Sequence, residues 1–198
     1  MFFKSNINSL LKELEERFLK EGDNDNDRKV FELANKILDC DSGNIQAKYV
    51  LAQCYHVGIG TEKDCKKSIK LYKQLAKENE SCGNNLDFQC KYANALEEAG
   101  DVQCLTWLLR ASLNGDQYST YRIGSLLLES DLLKDIPYPL RYELSNIYLK
   151  KASMMTDDIE TALIAKNILN IQIAENKLRI NEIEKQQEIM SVLKGGAM

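Results

Sequence analysis

Ala47-x3-Leu51-Ala52-x2-Tyr55-x2-Gly58-x-Gly60-x3-Asp64-x2-Lys67-Ser68-Ile69-x2-Tyr72-x2-Leu75-Ala76 is the stretch whose reading decides the fold. Apolar residues on both sides of the glycines recur at helical spacing, so two amphipathic helices flank a loop. Gly58 and Gly60 allow that loop a tight reversal, because glycine reaches backbone conformations closed to other residues.

Degraded copies of the unit follow. In the first helices, Leu51-Ala52 with Tyr55 corresponds to Tyr92-Ala93 with Leu96, then to Ile123-Gly124 with Leu127. In the second helices, Tyr72 with Ala76 corresponds to Trp107 with Ala111, then to Tyr148 with Ala152. A small residue lets adjacent helices approach, and an aromatic four positions earlier fills the groove beside it. Trp107 is therefore read as the core aromatic of its repeat. The loops vary while the helices keep their length: the second copy shortens its loop to Ala99-Gly100-Asp101, and the third replaces it with Leu132 to Pro139. Pro137 and Pro139 predict an extended linker ahead of a helix starting near Leu140.

Outward from this centre, Ile7, Leu10, Leu11, Leu14 and Phe18 form one stripe of a helix over residues 5–20, with Ser5 or Asn6 as its cap. The acidic stretch Glu21 to Asp27 breaks that helix and caps the next, from Arg28 to Asp39, at Asn26 or Asp27; Val30, Leu33, Ala34, Ile37 and Leu38 face inward. Asp23-x-Asp25-x-Asp27 imitates the start of a calcium loop. Arg28 stands where that loop needs glycine, however, and Ala34 where it needs a bidentate glutamate. A helix-capping linker is the reading adopted, with a weak calcium site as the alternative.

At the other end, residues 157–193 carry no glycine or proline, and the apolar spacing predicts one long helix. Its first half reads as a cap on the repeats. Beyond that, Ile173, Ile180 and Gln187 on one line, with Asn176, Ile183 and Met190 on another, form a weak heptad suited to a partner or to self-association. Residues 194–198 are expected to be a disordered tail.

The 198 residues are 44% hydrophobic with 2 prolines, enough to bury a substantial helical core. Period-two runs of β-branched residues are missing, so the fold class is all-α. A net charge of −4 disfavours non-specific attraction to nucleic acid. Against that balance Lys63, Lys66, Lys67, Lys70, Lys73 and Lys77 crowd one helix. They are read as a solvated helix face or, alternatively, as contacts to an acidic partner. No stretch approaches the roughly 18 apolar residues of a membrane span. Polar residues also interrupt the N-terminus before a signal peptide of usual length, so a cytoplasmic location is expected.

In a reducing cytosol the cysteines at 40, 54, 65, 82, 90 and 104 read as small buried hydrophobes, with a disulfide or a metal site as alternatives. His56 is the only histidine, and no Cys-x2-Cys occurs. Cys54 and His56 stand two apart on a helix and point away from each other. Gly58-Ile59-Gly60 follows a helix, not a strand, and lacks the third glycine of a dinucleotide fingerprint. No nucleophile elbow or phosphate-cradling loop occurs. The expectation is a protein without catalytic residues, cofactor or metal.

The central unit resembles the Sel-one-like repeat, a relative of the tetratricopeptide repeat. Ala47, Leu51, Tyr55, Gly58, Gly60, Asp64, Tyr72 and Ala76 stand at positions typical of that family. The match is closest across Ala47 to Asn79 and loosens through Phe88–Gly115 and Tyr118–Met155; the N-terminal pair is similar to a plain tetratricopeptide unit. Copies two and three lack the double-glycine loop. The resemblance implies a right-handed α-α superhelical solenoid of helical hairpins over residues 1–156, followed by the long C-terminal helix. Some cysteine-rich members carry one disulfide per repeat. Here Cys82 and Cys90 stand near a repeat junction, while the other cysteines do not recur with the unit.

The resemblance also implies binding, by adaptors, signalling scaffolds, secretion-linked factors and immunity proteins. The expected function is a non-enzymatic protein–protein interaction module, a cytosolic immunity or inhibitor protein for a toxin-like partner. A secretion or signalling adaptor is the alternative, as is a self-associating structural protein. First helices of such repeats line the concave side, so Lys48, Gln53, Gln89, Asn94, Glu97, Glu98, Arg122 and Glu129 are the expected partner-binding residues. Neither nucleic acid nor membrane is an expected partner.

Overall fold

A computed structural model describes residues 2–20, 24–78 and 86–195. Among these the chain is all-α: α1 (Phe2–Phe18), α2 (Asn24–Cys40), α3 (Ile45–Gln53), α4 (Cys65–Glu78), α5 (Leu86–Glu98), α6 (Cys104–Leu113), α7 (Gln117–Glu129), α8 (Tyr138–Met154) and α9 (Ile159–Gly195). Two compact units divide between Asn114 and Gly115. That division falls inside the 1–156 repeat domain expected from sequence, and α9 belongs to the second unit.

In the first unit each helix packs on the next from α1 to α6. Leu14, Val30, Ala34, Ile37, Ala47, Val50, Leu51 and Cys54 form its core, flanked by Ile7, Leu10, Leu11 and Phe18 of the expected α1 stripe. The caps differ from expectation. α1 already begins at Phe2, so Ser5 and Asn6 lie inside it. α2 begins at Asn24, and Asn26 serves its neighbour instead: its amide donates to the Arg17 carbonyl (3.1 Å) at the end of α1. An orphan carbonyl at a helix end needs such a donor. The Asp25 carboxylate pairs with Lys29, which holds it below the usual carboxylate range. Asp23, the first residue of the calcium imitation, lies outside the described residues.

Asn44 caps α3 by accepting the Ala47 N–H at 3.0 Å. α3 then runs into a single π turn, Cys54–Gly58, and reverses through Gly58 (φ 93°) and Gly60 (φ 65°). Asp64 caps α4, its carboxylate accepting the Lys67 N–H at 3.0 Å. Gly100 (φ 73°) makes the shorter α5–α6 reversal.

In the second unit α7, α8 and α9 pack together, with Leu149, Ala152 and Ala165 at their centre. α8 starts at Tyr138, with Pro139 in its first turn, where the missing N–H breaks no helical bond. The buried Gln117 amide clasps the α8–α9 turn. It donates to the carbonyls of Ala152 (3.0 Å), Met155 (3.2 Å) and Asp158 (2.9 Å), and accepts the Asp158 N–H at 2.8 Å. Lys194 and Gly195, expected in the tail, continue α9; residues 196–198 lie outside the description.

The aromatic-and-small pattern holds in two copies and shifts in the third. Tyr72, Ala76, Trp107, Ala111 and Ala152 are buried, but Tyr148 is only half-buried, and Leu149 beside it is enclosed. Gly124 explains the shift. A Cβ there would lie 2.7 Å from Leu149 Cγ, so the missing side chain admits leucine where the other copies admit an aromatic ring.

Candidate functional site

The eight residues expected to line a binding face do not all reach solvent. Lys48 (8% exposed) and Gln89 (3%) are buried. Gln53, Asn94, Glu97 and Arg122 are half-buried, and only Glu98 and Glu129 are exposed. The expectation of outward Lys48 and Gln89 is therefore corrected. α3 has α1, α2 and α4 packed around it, and α5 has α4 and α6, so little of either circumference remains open. A lysine stem buried along such a surface still carries its ammonium to a polar partner.

Glu98 organises the exposed part of that set. One carboxylate oxygen lies 3.2 Å from His56 Nε2 and the other 3.2 Å from Lys63 Nζ. The His56 ring also meets Tyr72 edge-on, with centroids 6.1 Å apart. The histidine is thus engaged as a structural contact between the π turn and α5. Cys54 is fully buried, and burial pushes its thiol up to about 12, with the Asp27 charge adding to the effect. A thiol held protonated is a poor nucleophile. Cys40, Cys54 and Cys65 carry free thiols, Cys90 and Cys104 are buried, and Cys82 lies outside the described residues. Among the described residues no group of histidine, cysteine and carboxylate side chains could hold a metal ion.

A second feature lies on α4, α5 and α6. Lys73, Lys77, Tyr92, Gln103, Trp107 and Arg110 line a cleft of about 460 Å³. Trp107 meets Tyr92 edge-on at 5.0 Å between centroids, and the Arg110 guanidinium lies 4.9 Å above the indole. Leading to this cleft, α4 carries Lys66, Lys70, Lys73 and Lys77, all exposed, at the spacing that places side chains on one helix side. The six lysines noted in the sequence divide accordingly. Lys63 is taken by Glu98, while Lys67 lies 3.4 Å from Asp64 and 4.8 Å over the Tyr55 ring. The remaining four have no carboxylate within ion-pair distance among the described residues. The crowding of lysines is visible in the sequence but the cleft is not, because nothing in α4 alone says that Trp107 and Arg110 stand beside Lys73 and Lys77.

The second unit has its own cleft, about 390 Å³, lined by Tyr138, Pro139, Tyr142, Glu143, Asn176 and Arg179. The Tyr142 hydroxyl donates to the Gln172 carbonyl at 3.0 Å. Past this point α9 leaves Leu178 (68% exposed), Ile180 and Ile183 (54%) in solvent.

By sequence the chain matches no known protein family and no curated protein. Solved structures do resemble it. A protective antigen present in uropathogenic Escherichia coli strains, displaying an SLR fold, superposes with a TM-score of 0.61 and 19% identity, over 84% of this chain and 33% of its own length. A Sel1 repeat protein from Oxalobacter formigenes aligns with a TM-score of 0.47 and 19% identity, over 87% of this chain and 72% of its own. The chain spans about a third of the antigen's length. The likeness to the antigen shows the fold alone: among the described residues the chain is an all-α arrangement of helical hairpins with a Sel1-like repeat fold.

Proposed function

We propose that the chain is a non-catalytic protein–protein interaction module. The observation that carries this reading is the Sel1-like hairpin fold. Its helices keep their frame while the connections between them change, an arrangement that offers surface for contact. The enclosed Cys54 thiol, held protonated by burial, supports it, since a protonated thiol is a poor nucleophile. Within this class, an immunity or inhibitor protein that neutralises a toxin-like partner in the cytoplasm is the specific role we favour, with a secretion or signalling adaptor next. Among the described residues no helix is long and apolar enough to cross a membrane.

Affinity purification of the tagged chain from its native cell, with mass spectrometry, tests the proposal. One dominant polypeptide should co-purify. Recovery of none across growth conditions would count against it, and a toxin reading frame beside the gene would favour the immunity role over the adaptor.

The exposed Ile171, Ile173, Leu178, Ile180 and Ile183 of α9 favour a second reading, in which this helix pairs with another copy of itself. Light scattering decides it. A dimer that becomes monomeric on Ile180→Glu with Ile183→Glu supports self-association, and a wild-type chain that stays monomeric at high concentration removes it.

A further inference from the structure

We propose that the cleft walled by Lys73, Lys77 and Arg110 is a carboxylate-binding groove that seats an acidic segment of a protein partner. The inference rests on the binding-module reading and adds the chemistry of one contact. Charge is the first support. In a chain of net charge −4, acidic side chains are plentiful, yet Lys66, Lys70, Lys73 and Lys77 run along α4 with no carboxylate partner among the described residues. Like charges at this spacing repel one another, and an anionic counter-surface relieves that repulsion.

Geometry is the second support. The lysine row ends where Arg110 stands across the cleft with its guanidinium over Trp107. Stacking on an aromatic face restrains the plane of a guanidinium, which fixes its positive charge at the rim of the cleft. Gln103 adds an amide at the rim, and the Tyr92–Trp107 pair forms an aromatic wall against which the apolar stem of a glutamate can lie. From Lys66 to Lys77 the row spans about 16 Å of helix, the reach of roughly five residues of extended peptide.

A nucleic acid strand fits less well because the chain's net charge of −4 disfavours a polyanion of that size, and a free phosphate because it concentrates its charge at one point. Lys73 and Lys77, which wall the cleft, stand in the C-terminal half of α4, where the negative end of the helix dipole opposes a compact dianion more than a single carboxylate charge. Carboxylates spaced along a peptide divide the same charge among several lysines.

Trp107 is the only tryptophan and lies in the cleft, so its emission reports occupancy directly. The full chain is titrated with a blocked hexaglutamate peptide, and in parallel with hexalysine, inorganic phosphate and a short oligothymidylate. The expected result is a saturable change with hexaglutamate alone that weakens as salt is raised. In the double variant K73E/K77E, whose exposed positions leave the far-ultraviolet dichroism unchanged, apparent affinity should fall by about tenfold or more. No saturable change, an unaltered response in K73E/K77E, or tighter binding of phosphate or oligothymidylate would each overturn the proposal. A captured protein partner that binds K73E/K77E as tightly as wild type would remove the groove and leave the binding-module reading standing.

Discussion

The backbone of Gly60 passes so close to that of Asp27 that a Cβ at Gly60 would lie 2.1 Å from the Asp27 carbonyl oxygen and 2.9 Å from Arg28 Cα. The glycine therefore serves two ends. It holds a left-handed backbone conformation in the reversal after α3, and it admits the first turns of α2 against that loop.

Gly60→Ala should lower stability by roughly 2–4 kcal/mol, the sum of backbone strain at positive φ and a forced backbone shift. Gly58→Ala has the same strain but more room, its nearest neighbour being 3.7 Å away. It should lower stability by only about 1 kcal/mol. Urea unfolding of the two variants, compared at equal m-value, checks the difference. Equal losses would refute the close approach.

Tyr72 is fully buried in the first unit, yet its hydroxyl has no hydrogen-bond partner among the described residues. Tyr72→Phe should therefore raise stability by about 1 kcal/mol, because a buried unsatisfied hydroxyl is removed without loss of packing. Tyr72→Ala, by contrast, should lower it by about 3–5 kcal/mol. A destabilising Tyr72→Phe would mean the hydroxyl is satisfied after all.

Much of the hairpin architecture was legible in the sequence because it rests on local rules. Gly58 and Gly60 announce the reversal, Asn44 and Asp64 stand where caps belong, and the spacing of Tyr72 and Ala76 recurs as Trp107 and Ala111. What was not legible depends on which helix covers which. Periodicity places Lys48 and Gln89 off the apolar stripe of their own helices, but flanking helices on more than one side enclose them. Tyr148 stands at the expected register, and only the absence of a side chain at Gly124 brings Leu149 inward instead. Gln117 looks like any polar residue at a helix start, since the carbonyls it binds lie 35 to 41 positions downstream. The cleft shares this property: its cations belong to different helices.

Gln117→Ala removes the clasp between the start of α7 and the α8–α9 turn. Leaving the buried Ala152 carbonyl and the partly buried groups at Met155 and Asp158 without this partner should lower stability by about 1–3 kcal/mol. It should also speed hydrogen exchange at the Asp158 amide, which Gln117 accepts at 2.8 Å. Unchanged exchange at Asp158 would show that the clasp is not formed in solution.

The Cys54 thiol gives the protein a dependence on alkaline pH. Its folded value is raised to about 12, above the about 8.5 of an unfolded thiol. The folded state therefore holds the proton more tightly. The contribution is complete below about 8.5 and is lost as pH rises towards 12, where only the unfolded chain has ionised. Stability measured by urea should fall across that range, and less steeply in Cys54→Ala. In the same folded protein a thiol reagent should label the exposed Cys40 promptly and Cys54 only on unfolding.

The most direct test of the account is calorimetric titration of the purified chain with the polypeptide it captures in the cell. Saturable binding with a fixed stoichiometry is expected, weakened by salt and by K73E/K77E, with both chains chemically unchanged afterwards. Absence of binding, or covalent change in the captured polypeptide dependent on this chain, would contradict it.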